Sequence, residues 1–206
     1  MFYDPDSIYV VDNFLCLEHQ DELEKIILTE CKIPFHFNST TNGNHKNQNP
    51  ELISGGRYYD PYQFTHNIIK ENDIISDWGL EVVNPFFQSF YQFFGCEDFD
   101  IFRGKINLNV PSHHRTRKII EPHVDSRQKL WSLLYFVNDV PKSYFLVGKE
   151  MFDGQIKRKF SISRKIETKK GRAVIFDSRR FHSAGKCPDG YVRSAINFVI
   201  GKYEDL

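Results

Sequence analysis

Three residues could share one metal ion: His123, Asp125 and His182. The first two form the tripeptide His123-Val124-Asp125, an H-x-D, which is common enough to mean little by itself. A second copy, His19-Gln20-Asp21, shows why placement matters. It lies in a segment that reads as an amphipathic helix, where residues two apart diverge and cannot hold one ion. His123 and Asp125 lie at the end of an expected strand, where alternate side chains project to one side. A third ligand must come from elsewhere. His182 follows the apolar run Ala173-Val174-Ile175-Phe176 and is the best placed of the remaining histidines. Two imidazoles and one carboxylate, with the other positions open, suit Fe(II) that activates oxygen. A histidine in a surface turn is the other reading of His182.

Arg193 adds a second kind of chemistry. In Tyr191–Ile200, one face carries Val192, Ile196, Phe198 and Ile200, interrupted only by Ser194. The other face carries Arg193, Ala195 and Asn197. A guanidinium on an inner strand face keeps its charge and needs an anion. That anion is either an acid from another strand or the carboxylate of a ligand held by the planar fork.

The elements that must position these groups are mostly strands. They are expected at 101–110, 120–124, 130–137, 144–147, 156–166, 173–176 and 192–200, after a first strand at 8–11. A helix is expected over 17–28. A second helical region runs from 74 to 94, where Asn84 can cap, Pro85 suits the first helical position and Gly95 follows the end. Trp78–Val83 either joins that helix across Pro85 or stands apart from it. Phe86, Phe87, Phe90, Phe93 and Phe94 form an apolar stripe that must be covered. Helices first and strands afterwards predict a jelly roll with helices on one outer face.

Bulk properties agree with a folded domain. The 206 residues are 40% hydrophobic and include 19 phenylalanines, enough for a packed core. Lys plus Arg and Asp plus Glu each number 27, so net charge gives no support for general capture of nucleic acid or anionic membrane. The cysteines (Cys16, Cys31, Cys96, Cys187) form no C-x-x-C pair, and no signal-like leader or membrane-spanning run is seen. The expected setting is the cytoplasm. Two local features stand out. Residues 38–50 are almost wholly polar and read as a long loop or lid. Lys157–Arg172 carries eight basic residues against Glu167, and reads as a charged edge hairpin or as a guide for an acidic partner.

With these residues in place, the chain resembles the Fe(II)- and 2-oxoglutarate-dependent dioxygenases, in particular the prolyl 4-hydroxylase-like branch and its small phage and bacterial members. The resemblance rests on His123-Val124-Asp125, His182, Arg193, and the phrases Ile8–Leu15, Leu134–Val140 and Gly171–Ser178. Two places depart from the pattern. Pro141–Gly148 lacks a Gly-Gly-x-Thr segment, and Ala195 stands where many relatives have Ser or Thr. The resemblance implies a double-stranded β-helix, mainly β, as one domain over 1–206. Residues 1–100 would be a helical support region with the first strand, and 101–206 a jelly-roll core. It further implies Fe(II) on His123, Asp125 and His182, with 2-oxoglutarate and O2 as cosubstrates. Arg193 would hold the far carboxylate of 2-oxoglutarate, aided by Asn107, Asn109 or Tyr135 unless these make ordinary core hydrogen bonds. The reaction would hydroxylate an unactivated C–H of a peptidyl, even prolyl, or small-molecule substrate, releasing succinate and CO2. The carboxylate of Asp125 favours hydroxylation over halogenation. Arg57, Tyr59 and Arg127 are candidates for the substrate entrance. Two rivals remain, a cupin-like metal enzyme that uses no 2-oxoglutarate and a non-enzymatic jelly-roll interaction protein.

Overall fold

Phe86, Phe90 and Phe94 recur at helical spacing, and the computed structural model buries all three. The structure describes residues 4–38, 58–59, 63–95, 99–111, 119–120, 122–154 and 161–202. The polar segment 39–50 and residues 157–160 of the basic stretch lie outside them. The phenylalanines sit on α2 (Gly79–Phe94), which runs through Pro85 instead of starting there. Pro85 removes one helical N–H, but the apolar face stays continuous through the buried Val82, Val83 and Phe86. Gly95 ends the helix in the left-handed region at φ 70°, as its position predicts. α1 (Leu17–Glu24) continues into a wider π-helical turn over Lys25–Thr29, and Leu23, Ile26 and Ile27 face the same core.

Beneath the helices lies a large antiparallel sheet. Its strands are β1 (Tyr9–Val11), β2 (His36–Asn38), β4 (Gln63–Lys70), β6 (Asp100–Asn109), β8 (Trp131–Phe136), β11 (Ala173–Asp177) and β13 (Arg193–Gly201). They run in the order β1-β11-β8-β13-β6-β4-β2, and the short β5 (Asp73–Ile74) pairs with β4. A smaller sheet opposes it, formed by β9 (Tyr144–Met151), β10 (Ile162–Glu167) and β12 (Arg180–Ala184) in the order β10-β9-β12. β3 (Tyr58–Tyr59) and β7 (Ile119–Ile120) pair in parallel as a third, two-stranded sheet. This is the expected mainly β jelly roll with helices on the outer face of the larger sheet.

Strand alternation splits the core in two. Leu133, Tyr135, Ile196, Phe198, Ile200 and Ile175 pack outward under α2, where the Phe86 ring centroid lies 5.0 Å from that of Phe198 and 5.1 Å from that of Tyr135. Leu134, Phe136, Val174, Phe176 and Ala195 pack inward against Phe145 and Val147 of the smaller sheet. Two expectations need correction. The first hundred residues are more than helical support, because β1, β2 and β4 all join the large sheet. Val192 leaves the apolar face expected of it; it precedes β13 and is exposed.

Candidate metal centre and anion cavity

His123 and His182 meet through their backbones before their rings do. His123 N donates to His182 O at 3.0 Å, and His182 N donates to His123 O at 2.9 Å, an isolated antiparallel bridge next to β12. His123 is therefore outside a regular strand. Asp125 N then donates to Ser178 O at 3.0 Å, which turns the next side chain toward the same point. The two imidazole ring centroids are 4.4 Å apart. One ligand atom from each of His123, Asp125 and His182 lies within 4.8 Å of the others. The sequence brings these three together as expected, and β12, which carries His182, is a strand where a turn was the alternative.

The donor atoms are prepared for a cation. His182 Nδ1 lies 3.0 Å from the carbonyl oxygen of Arg180, which can only accept, so Nδ1 carries the proton. Nε2 keeps its lone pair and faces Asp125 Oδ2 at 3.5 Å. Burial among Phe145 and Phe176 pushes the His182 pKa down, against the pull of Asp125, and so favours the neutral ring that binds metal. For Asp125, burial acts to raise the pKa, but the permanently charged Arg103 guanidinium beside it holds it far below the usual carboxylate range. Its Oδ1 accepts from Arg103 Nη2 at 2.6 Å. Its Oδ2 accepts from Ser132 Oγ at 2.7 Å and Asn197 Nδ2 at 3.1 Å. Oδ2 is thus the oxygen turned toward the histidines. Two imidazoles and an ionised carboxylate are a donor set that fits Fe(II), and also Zn(II).

The three ligands open onto a cavity between the sheets. Arg193, Asn107 and Asn109 line it too, as expected. Arg193 is buried at 3% exposure on β13 and directly opposes Asn109 of β6. Its Nη1 donates to Ser143 Oγ at 2.9 Å and Gly185 O at 2.8 Å, and its Nη2 to Asn109 Oδ1 at 3.4 Å. Asn109 Nδ2 and Asn107 Oδ1 are buried without a hydrogen-bond partner among the described residues. Arg193 and Asn197 are four residues apart, about 13 Å along a strand. The cavity therefore has a carboxylate and two imidazoles at one end and a guanidinium with unsatisfied amides at the other.

Other expected residues fall elsewhere. Tyr135 is a correction: it pairs with Ile196 and Ala173, and shares their outward face under α2. Burial pushes its phenol pKa up, and its hydroxyl has no partner among the described residues. Arg127 is exposed, with its guanidinium carbon 5.3 Å from the Phe152 ring centroid, and does not line the cavity. Tyr59 is placed in β3, and Arg57 lies outside the described residues. Arg103, Ser132 and Ser143 were not singled out by the sequence. Arg103 alone had a signal, sharing the alternating face of Lys105, Asn107 and Asn109.

No protein-family model matches the chain, and no curated protein does. Solved structures do share its fold. An oxidoreductase of the 2OG-Fe(II) oxygenase family from Burkholderia pseudomallei superposes with a TM-score of 0.60 at 11% identity, covering 94% of this chain and 84% of that one. A prolyl hydroxylase from Trichoplax adhaerens, in complex with a hypoxia-inducible-factor oxygen degradation domain peptide, gives 0.60 at 14% identity, covering 97% and 86%. The epimerase SnoN, in complex with Fe3+, alpha ketoglutarate and nogalamycin RO, gives 0.58 at 12% identity, covering 97% and 80%. The chain thus has the jelly-roll fold of 2OG-Fe(II) oxygenases, in agreement with its sequence resemblance.

Proposed function

We propose that the chain, acting as one domain over residues 1–206, is an Fe(II)- and 2-oxoglutarate-dependent oxygenase. Its expected reaction is hydroxylation of an unactivated C–H bond in a peptidyl or small-molecule substrate. The observation that carries this reading is the shared cavity, with His123, Asp125 and His182 at one end and the buried Arg193 at the other. A metal enzyme without a dicarboxylate cosubstrate has no evident use for that second end. Solved relatives in fold that bind iron and alpha ketoglutarate support the same reading.

When bound, the iron supplies oxygen activation coupled to oxidative decarboxylation of 2-oxoglutarate. The protein supplies position. His123, His182 and Asp125 Oδ2 would hold the ion, while Arg103, Ser132 and Asn197 keep the carboxylate turned toward it. Arg193 would pair with the far carboxylate of 2-oxoglutarate, and Asn109 Nδ2 would gain the acceptor it lacks. Leu134, Phe136 and Phe145 keep the cavity wall apolar and restrict water around the reacting groups.

The test uses anaerobically prepared protein, titrated with Fe(II) and then 2-oxoglutarate. A weak visible charge-transfer band should appear, and Asp125→Ala should abolish it. Arg193→Met should raise the 2-oxoglutarate concentration at half-saturation about 10- to 100-fold, the loss of a charged hydrogen-bonded pair. A folded wild-type protein that binds Fe(II) without developing the band would refute the cosubstrate assignment.

A further inference from the structure

The cavity holds one cationic group that this reading leaves unused. Lys105 of β6 lines it, yet makes no hydrogen bond or ion pair with any described residue. Cross-strand register locates the residue. Lys105 opposes Asn197 on β13 and Asn67 on β4, whereas Asn109, four residues on, opposes Arg193. Asn197 itself touches Asp125. Lys105 is therefore at the metal end of the cavity, roughly 13 Å along the strand from the position facing Arg193.

The charges there are out of balance. Among the residues lining the cavity, Lys105 and Arg193 are the cations and Asp125 the one carboxylate. Asp125 is already engaged, with Oδ1 on Arg103 and Oδ2 on Ser132 and Asn197. A divalent metal and doubly charged 2-oxoglutarate together add no net charge. The loaded site thus keeps an excess positive charge beside the reacting centre, in a partly buried setting where an unpaired ammonium is costly. An anion arriving as substrate would relieve it.

The surface around Lys105 suits a small polar molecule. Gln63 of β4, Asn107 and Asn109 of β6 and Asn197 of β13 line the cavity with it, giving a floor of amides. Such a floor donates and accepts hydrogen bonds but carries no charge apart from the lysine. A phosphate would call for several converging donors or a guanidinium fork. A single ammonium matches a carboxylate.

Building on the 2-oxoglutarate reading, we infer that Lys105 anchors the substrate, and that the substrate is a small carboxylic acid with further hydrogen-bonding groups, of the free amino acid class.

The test is a binding experiment without turnover. Wild-type protein, Lys105→Met and Lys105→Arg are loaded with redox-silent Mn(II), with and without saturating 2-oxoglutarate. Each is titrated with the free L-amino acids, their carboxamides and O-phosphoserine, by calorimetry and by thermal shift. At least one free acid should bind the wild type, and its carboxamide about 10- to 100-fold more weakly. Lys105→Met should weaken the acid by a similar factor while leaving 2-oxoglutarate affinity unchanged, and Lys105→Arg should restore part of it. Absence of binding by every acid, equal binding of acid and carboxamide, preference for O-phosphoserine, or indifference to Lys105→Met would each overturn the inference. Failure of 2-oxoglutarate itself to bind would instead count against the cosubstrate reading, and is scored separately in the same titration.

Discussion

Replacing Arg103 by methionine should destabilise the metal-free protein and make it more responsive to metal. Arg103 Nη2 donates to Asp125 Oδ1 at 2.6 Å and to Asn197 Oδ1 at 3.1 Å, and Nη1 donates to the Asp125 main-chain oxygen at 3.1 Å. Breaking one side of a fully buried ion pair costs about 3–5 kcal/mol. Here the side chain of Asp125 is 4% exposed but that of Arg103 is 35% exposed, so water screens part of the pair. Ser132 and Asn197 also go on donating to Oδ2. The expected loss is nearer the lower end for a charged hydrogen bond, about 1.5–2 kcal/mol, or a fall in Tm of about 3–8 °C for a chain of this size. A divalent ion changes the balance. In the wild type it shares the carboxylate with a guanidinium, whereas in the variant it supplies the missing counter-charge. The gap in Tm should therefore narrow when Mn(II) is added. The assay is thermal unfolding of both proteins in chelator and in saturating Mn(II), with circular dichroism to confirm folding. A metal-free Tm within about 1 °C of wild type, or an equal rise with Mn(II) in both, would refute the argument.

Two further outcomes follow from the same geometry. Tyr135→Phe removes a buried hydroxyl that has no partner among the described residues, so Tm should hold or rise, by up to about 1 kcal/mol in stability, and 2-oxoglutarate affinity should not change; a raised 2-oxoglutarate requirement would return Tyr135 to the cavity. Asp12 is drawn down to about 2 by its hydrogen bonds from Arg172, with burial opposing. Its folded pKa lies below the unfolded value of 3.8, so its contribution is complete above about pH 4 and fades as pH falls toward 2. Because its side chain is 41% exposed, Asp12→Asn should cost only about 0.5–1 kcal/mol at pH 7. The difference should shrink below about pH 4 and be lost only once the pH has fallen through about 2 in acid-unfolding curves, and a difference that widened on acidification would contradict the assignment.

The fold was legible where burial is one-sided. The α2 stripe and the outward residues Ile196, Phe198 and Ile200 mark their faces by contrast with polar neighbours. β8 gives no such contrast, because all six of its residues, Trp131 to Phe136, are buried. A strand covered on both faces carries no polarity to show which side looks inward. Sequence alone therefore leaves Tyr135 a candidate for the cavity, although Leu134 and Phe136 occupy it. Register holds the missing information: Ala195, on the face of Arg193, pairs with Phe136, so Tyr135 must turn away. β4 was missed for a related reason. Gln63, Thr65 and Asn67 share the polar face of Asn109, Asn107 and Lys105, and Gln63 lines the cavity, so this face carries no apolar signal of a strand.

The metal site was legible for a reason that proved only half right. Strand alternation would place His123 and Asp125 on one side, but the chain is bridged at His123 alone and bends at Asp125. Backbone hydrogen bonds perform the placement. His123 exchanges two of them with His182, while Asp125 and Ser126 both donate to Ser178 O, at 3.0 and 3.2 Å. Ser178 is fully buried; its N donates to Leu130 O and its Oγ to Gln128 O, so it also gathers the loop that leads into β8. The two segments that carry the ligands are thus tied to each other independently of the ligand side chains. Residue types at H-x-D spacing could reveal which atoms a metal would take. They could not reveal this scaffold, because main-chain donors and acceptors are the same at every position, and only the paired elements decide where they meet.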